Sequence, residues 1–194
     1  DAFISMADRL SGFLHEKRKP LAAIIAGFIA LALAFVGWDQ YQSYQARVAS
    51  KDFYPVKQKL QDWKSLPSKE KTGKKREELV TQMISYIENH AGSAPASQAT
   101  LQLANLDLSE SQTDRVIQVT RKQLQALSKD SLFYDLLKVR FGTLFMARGE
   151  LDKALAEYAD VRGKKGNNFL QPTVLLKMGM VYEKQGEFER AREL

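Results

Sequence analysis

Residues 20–38, PLAAIIAGFIALALAFVGW, form one unbroken apolar run with basic residues in front of it and no charge inside it. The 18 residues from Leu21 to Trp38 make about 27 Å of helix, which just crosses a hydrocarbon core. Trp38, Tyr41 and Tyr44 supply the aromatic belt of the far interface. A buried helix of a water-borne domain would carry a polar stripe, and none is present. A signal peptide would have a shorter apolar region and a small-x-small site, whereas Trp38-Asp39-Gln40-Tyr41 follows here. A single transmembrane helix over 20–38 is therefore expected, dividing a head (1–19) from a body that starts at residue 39.

The flanks set the orientation. Arg9, Lys17, Arg18 and Lys19 lie in the head, while the other side opens with Asp39 and brings only Arg47 and Lys51 in its next dozen residues. The positive-inside rule puts the head in the cytoplasm and the body outside, which in a bacterium with two membranes is the periplasm. The absence of cysteine fits an oxidising compartment. In the head, Phe3, Ala7, Leu10, Phe13 and Leu14 fall at helical spacing; it reads either as an amphipathic helix on the inner leaflet or as a frayed tail. Asp1 is not a starting methionine, so a longer N-terminus is expected.

Within the run, Ala22, Ala26, Ala30 and Ala34 recur every fourth residue, flanked by Ala23 and Gly27. Small residues at this interval let a second helix approach closely, so this face is a candidate docking surface in the membrane, although alanine is common in any span. No ionisable group lies inside the run, which excludes ion or proton conduction by this helix.

The body reads as all-α. It lacks alternating β-branched runs and is rich in Leu, Ala, Gln, Glu, Lys and Arg. Tyr41, Tyr44, Val48, Phe53, Val56, Leu60 and Trp63 mark a juxtamembrane helix over about 39–64, bent near Pro55. Ser65–Glu78, with Pro67, Gly73 and a cluster of lysines, reads as a solvated linker, so the first segment is bounded at 39–77. Its glutamates and lack of aromatic neighbours argue against nucleic acid. Over 78–194 the pattern becomes helical hairpins: one helix ending at Asn89-His90-Ala91-Gly92, one over about 96–108, one capped by Thr113 or Asp114, and one from Ser131.

The last third repeats itself. Phe141-Gly142-x-x-Phe145-x-x-x-Gly149-x-Leu151-x-x-Ala154 aligns with Met178-Gly179-x-x-Tyr182-x-x-x-Gly186-x-Phe188-x-x-Ala191 at an offset of 37. This is the tetratricopeptide pattern. Gly142 and Gly179 allow close approach of two helices, Gly149 and Gly186 end the first helix (helix A), and Ala154 and Ala191 leave room for a neighbour. The offset exceeds the usual spacing of about 34, and the loop Gly163–Asn168 accounts for the excess. A degenerate earlier copy near Leu103-Ala104 and Val116 has Ser111 where the turn glycine stands. The expected fold is an N-terminal transmembrane helix followed by a tetratricopeptide-repeat-like α-solenoid whose closing helix lies beyond Leu194.

These features resemble the YfgM family of ancillary SecYEG translocon subunits of the bacterial inner membrane. The likeness is most specific at Gly37-Trp38 with Tyr41-Gln42-Ser43-Tyr44-Gln45-Ala46, and at Ala96-x-x-Ala99-x-Leu101-x-Leu103-Ala104. The resemblance implies Sec translocon subunits and a periplasmic membrane-anchored chaperone as partners, with exported polypeptides as clients. It brings no catalytic residues. The longer head and the lysine-rich insertion at Ser65–Arg76 depart from the family.

A binding adaptor is the leading class. The alignment gives helix A residues Leu136, Val139, Thr143 and Met146, then Thr173, Leu176, Met180 and Glu183, as a candidate protein-binding groove, whose two methionines suit extended segments. The other reading is that a neighbouring or following helix fills it. An enzyme is not expected: His15 and His90 stand apart, and no nucleophile, phosphate loop, metal set or cofactor motif is present in the sequence. A structural accessory subunit or scaffold of another envelope complex is the alternative.

Overall fold

A computed structural model describes residues 18–71, 73–164 and 169–194, with backbone alone at 18–22, 24 and 25. The head expected at 1–19 falls almost entirely outside the described residues. The described chain is helical and without strands: α1 (Arg18–Ser65), a short 3₁₀ turn (Ser68–Glu70), α2 (Gly73–Asn89), α3 (Ala94–Leu103), α4 (Glu110–Ala126), α5 (Leu132–Ala147), α6 (Leu151–Arg162), α7 (Gln171–Gln185) and α8 (Phe188–Arg192). Two compact units divide after Gln45.

The first unit is described only where α1 runs through it. Between Ala26 and Gln45 every side chain is exposed, including Phe28 (70%) and Phe35 (74%). Among the described residues no helix is long and apolar enough to cross a membrane. The run read as a span has the side chains of residues 20–22, 24 and 25 outside that description. Its described remainder from Ala26 to Trp38 is only about 20 Å of helix.

The second unit, Ala46–Leu194, is a stack of antiparallel hairpins. Tyr86 Oη donates to the Ala49 carbonyl at 2.8 Å, and Phe53 stacks on Tyr86 at 5.4 Å, pairing the start of this part of α1 with the end of α2. Beyond that hairpin come α3 with α4, α5 with α6, and α7 with α8. Helices of successive hairpins also pack on one another, α2 on α4, α3 on α5 and α5 on α7, which is the signature of stacked repeats. The helices α1, α3, α5 and α7 form one layer (A) and α2, α4, α6 and α8 the other (B). The core runs the length of the unit, from Phe53 and Leu60 through Met83, Ile87, Leu103, Val116 and Leu137 to Tyr158, Val174 and Val181.

Local chemistry explains the boundaries. Pro55 lies inside α1 without ending it. The linker is shorter than the sequence reading has it, because Lys74, Lys75 and Arg76 form the first turn of α2. Lys71 is folded back rather than solvated, donating to the Lys64 carbonyl at 3.0 Å and lying over the Trp63 ring. Ala49, Phe53 and Leu60 are buried in the repeat core, so this core reaches well ahead of the boundary read at residue 78.

Three further differences have physical causes. Helix α3 ends at Leu103 instead of 108, yet Leu106 and Leu108 still pack on the core from the connection. Helix α4 begins not at Thr113 or Asp114 but at Ser109, which forms a capping box with Gln112. Ser111 therefore sits within the first turn of α4 and not at the turn. The cap at Ser131 is as expected, its hydroxyl accepting from the Phe133 N–H. Gly149 and Gly186 follow their helices at φ +75° and +79°, the left-handed geometry that side-chain-bearing residues avoid.

Tyr86 carries a pH signature. Burial, with Asp52 adding to it, pushes its phenol up to about 12. The group is raised above its unfolded value of about 10, so its contribution is complete below pH 10 and is lost as pH rises toward 12. We expect about 2–3 kcal/mol of stability to disappear across that window, beyond what Tyr86→Phe loses. Urea unfolding of the detergent-solubilised chain at successive pH values, followed by circular dichroism, measures the difference.

Candidate binding face

In α5 the buried positions, Tyr134, Asp135, Leu137, Val139, Phe141, Gly142, Leu144 and Phe145, take up half of the helix. Among the other positions Leu136, Arg140, Thr143 and Ala147 fall at helical spacing, Ala147 exposed and the other three partly buried. In α7 only Val174, Met178 and Val181 are buried. Thr173, Leu176, Met180 and Glu183 are exposed, with Leu176 at 65% and Met180 at 37%. These two strips belong to successive helices of the A layer.

The sequence-derived groove needs two corrections. Val139 is buried in the core and lines no surface. Thr143 lies within its own hairpin, donating to the Val139 carbonyl at 3.1 Å and sharing a hydrogen bond of 3.1 Å with Tyr158 Oη. Leu136 and Met146 are half-buried against the core, and the four α7 residues stand clear. The residue that sequence reasoning missed is Arg140. Repeat alignment assigned its turn to Val139, but counting 3.6 residues per turn from Leu136 passes through Arg140.

Charges distribute unequally between the layers. Between B helices Glu77 meets Arg115 and Gln112, and Glu88 meets Lys122 at 2.6 Å; from α5 to α6 Lys138 meets Glu157 at 2.6 Å and Asp160 at 3.0 Å. Gln112, then Arg115, hold the Glu77 carboxyl below its usual range. Burial alone would lower the Lys138 ammonium, but Glu157 and Asp160 outweigh it and keep it above its ordinary value. Asp114 pairs with Arg148, and Asp135 with Lys164 at 2.6 Å. The Glu77, Glu88 and Asp114 pairs stitch one hairpin to the next, while the Lys138 and Asp135 pairs close α5 onto α6 and the connection after it. Among the described residues the α7 strip has no such contact to the rest of the fold, and its apolar members are left facing outward.

His90 is no solvated cap. Its Nε2 lies 3.2 Å from Asp52 Oδ2, and its ring packs on Tyr86 at 4.8 Å, locking α2 to α1. Among the described residues no three His, Cys, Asp or Glu side chains are grouped to hold a metal ion. His15 and Ala22 lie outside what the structure describes of side chains. Of the small-residue face on α1, Ala23, Ala26, Gly27, Ala30 and Ala34 are all exposed, and a Cβ built on Gly27 would meet nothing within 4 Å.

Stacked hairpins carrying an unpartnered strip on their A helices define a helical-repeat binding protein. The profile of the tetratricopeptide repeat-like domain matches residues 17–194, and the chain belongs to that family. No curated protein and no solved structure matches it. Domains of this kind act as protein-interaction adaptors, so protein partners follow for this chain.

Proposed function

We propose that the chain is a membrane-anchored, non-enzymatic adaptor, held by the apolar run of α1 with its repeats on the periplasmic side. There it serves as an ancillary subunit of the Sec translocon, assisting the chaperoning of exported proteins. The observation that carries the anchoring is the exposure of Phe28, Ile29, Leu31, Leu33, Phe35 and Val36. At 100° per residue these side chains spread over about 200° of the helix circumference, taking in more than one face. One partner helix would cover only one of those faces, whereas lipid covers them all. The family match begins ahead of the run, so the run is part of the matched architecture. The basic flank at Arg18 and Lys19 supports the orientation.

The Sec assignment rests on the resemblance at Gly37-Trp38 and Ala96–Ala104. A fixed structural partner in another envelope complex is the second reading. It is favoured by the set charges Arg140 and Glu183, which suit one register of one partner better than varied clients. Purification in mild detergent with identification of co-purifying subunits separates the two. Sec channel subunits are expected, and another complex in their consistent absence would sink the assignment. Protease added to spheroplasts checks topology: the repeats should be digested and the head protected.

A further inference from the structure

The A helices run parallel, so their N-termini share one edge of the unit that begins at Ala46. Contacts place the members of this edge together. Tyr86, near the end of α2, reaches Ala49; the Gly92 N–H donates to Gln123 near the end of α4; and Lys164, after α6, donates to the Lys129 carbonyl at 2.9 Å. Two large apolar side chains stand out here, Leu132 (53% exposed) and Phe169 (59%). Lys51, Lys129 and Arg162 also lie at this edge, and none has an ion pair among the described residues. Asp130 is the one acid in the described parts of its connections. At the opposite edge every connection carries a carboxylate, Glu70, Asp107, Glu150 and Glu187, alongside the cations Lys69, Lys71 and Arg148.

We propose that this edge docks on an anionic lipid surface. Leu132 and Phe169 enter the interfacial layer, and Lys129, Arg162 and Lys51 meet headgroup phosphates. The proposal rests on the membrane reading above. The apolar run ends at Trp38, eight residues before Ala46, or about 12 Å of helix, so chain length alone keeps the edge within reach of the bilayer. The combination of exposed apolar groups and free cations is what an anionic interface rewards. A protein partner would be met equally well at the acid-bearing edge, where Phe188 is also exposed.

The cysteine-free chain accepts single fluorescent labels cleanly. Full-length protein with an environment-sensitive dye at Leu132→Cys, Asn105→Cys or Ala30→Cys is reconstituted in phosphatidylethanolamine vesicles containing about a quarter phosphatidylglycerol and doxyl-labelled lipid. Deep quenching is expected at position 30. Shallow quenching at 132 should exceed that at 105, on the opposite edge, by about twofold or more, and Lys129→Glu with Arg162→Glu should abolish the difference. Equal quenching at 132 and 105, with position 30 quenched, overturns the docking and leaves the anchor standing. An unquenched label at position 30 overturns the anchor and the docking with it. A blue shift at 132 without lipid quenching marks protein contact, including a second copy, and also overturns the proposal. A difference that survives the charge reversal overturns the assignment to anionic lipid.

Discussion

Gly142→Val should destabilise the repeat unit by about 3 kcal/mol, whereas Gly179→Ala, at the equivalent place in the next repeat, should leave stability unchanged or raise it by up to about 1 kcal/mol. The two glycines occupy the same motif position, yet their surroundings differ. A Cβ on Gly142 would fall 2.6 Å from Tyr158 Cε1 and 2.8 Å from Cζ. Tyr158 is fully buried, and its hydroxyl is tied to Thr143, so the ring has nowhere to retreat. The helix-propensity gain from replacing glycine, about 1 kcal/mol, is smaller than the overlap it creates. At Gly179 the nearest atom to an added Cβ is the Ala191 carbonyl at 3.8 Å, an ordinary contact, and only the propensity gain remains. Urea unfolding of the two variants should show opposite signs. Tyr158→Leu, which removes the ring, should offset part of the Gly142→Val cost; strict additivity would mean that the close approach is not what requires the glycine.

Phe53→Ala should cost about 3–5 kcal/mol. Phe53 is buried against the Tyr86 ring, and the same tyrosine holds the Ala49 carbonyl. Truncation removes the aromatic stack and leaves a cavity between α1 and α2. If α1 beyond Ala46 were only a tether, the change would stay within about 0.5 kcal/mol, as at an ordinary surface position. The unfolding midpoint of this one variant therefore decides whether α1 supplies helix A of the first hairpin.

That first hairpin shows where the sequence was hard to read. The apolar spacing of Val48, Phe53, Val56, Leu60 and Trp63 is plain, but it says only that one face is buried and not by what. The partner, α2, lies beyond a lysine-rich stretch whose composition reads as linker, and the pairing is a non-local fact. The later repeats were legible because their glycines and alanines answer to steric demands that recur at fixed spacing. Gly149 and Gly186 adopt positive φ, and Ala154 is fully buried. The binding strip was half legible. Thr173, Leu176, Met180 and Glu183 lie outward as aligned, while Val139 is buried in the core and Thr143 is engaged by the Val139 carbonyl and Tyr158 within its own hairpin. The capping box at Ser109 was missed because Thr113 and Asp114 are equally good caps on paper. In the fold Thr113 donates to the Ser109 carbonyl, and Asp114 is committed to Arg148.

The most direct measurement is site-specific photo-crosslinking in intact cells, with a benzophenone amino acid at Leu176 or Met180 on the A layer and at Gln118 or Ala156 on the B layer. All four positions are exposed, so reactivity reports the partner and not access. Adducts of defined mass containing envelope proteins are expected from positions 176 and 180, with little from 118 and 156. Adducts from 118 and 156, with 176 and 180 silent, would contradict the assignment of the A-helix strip as the face by which this repeat protein binds its partner.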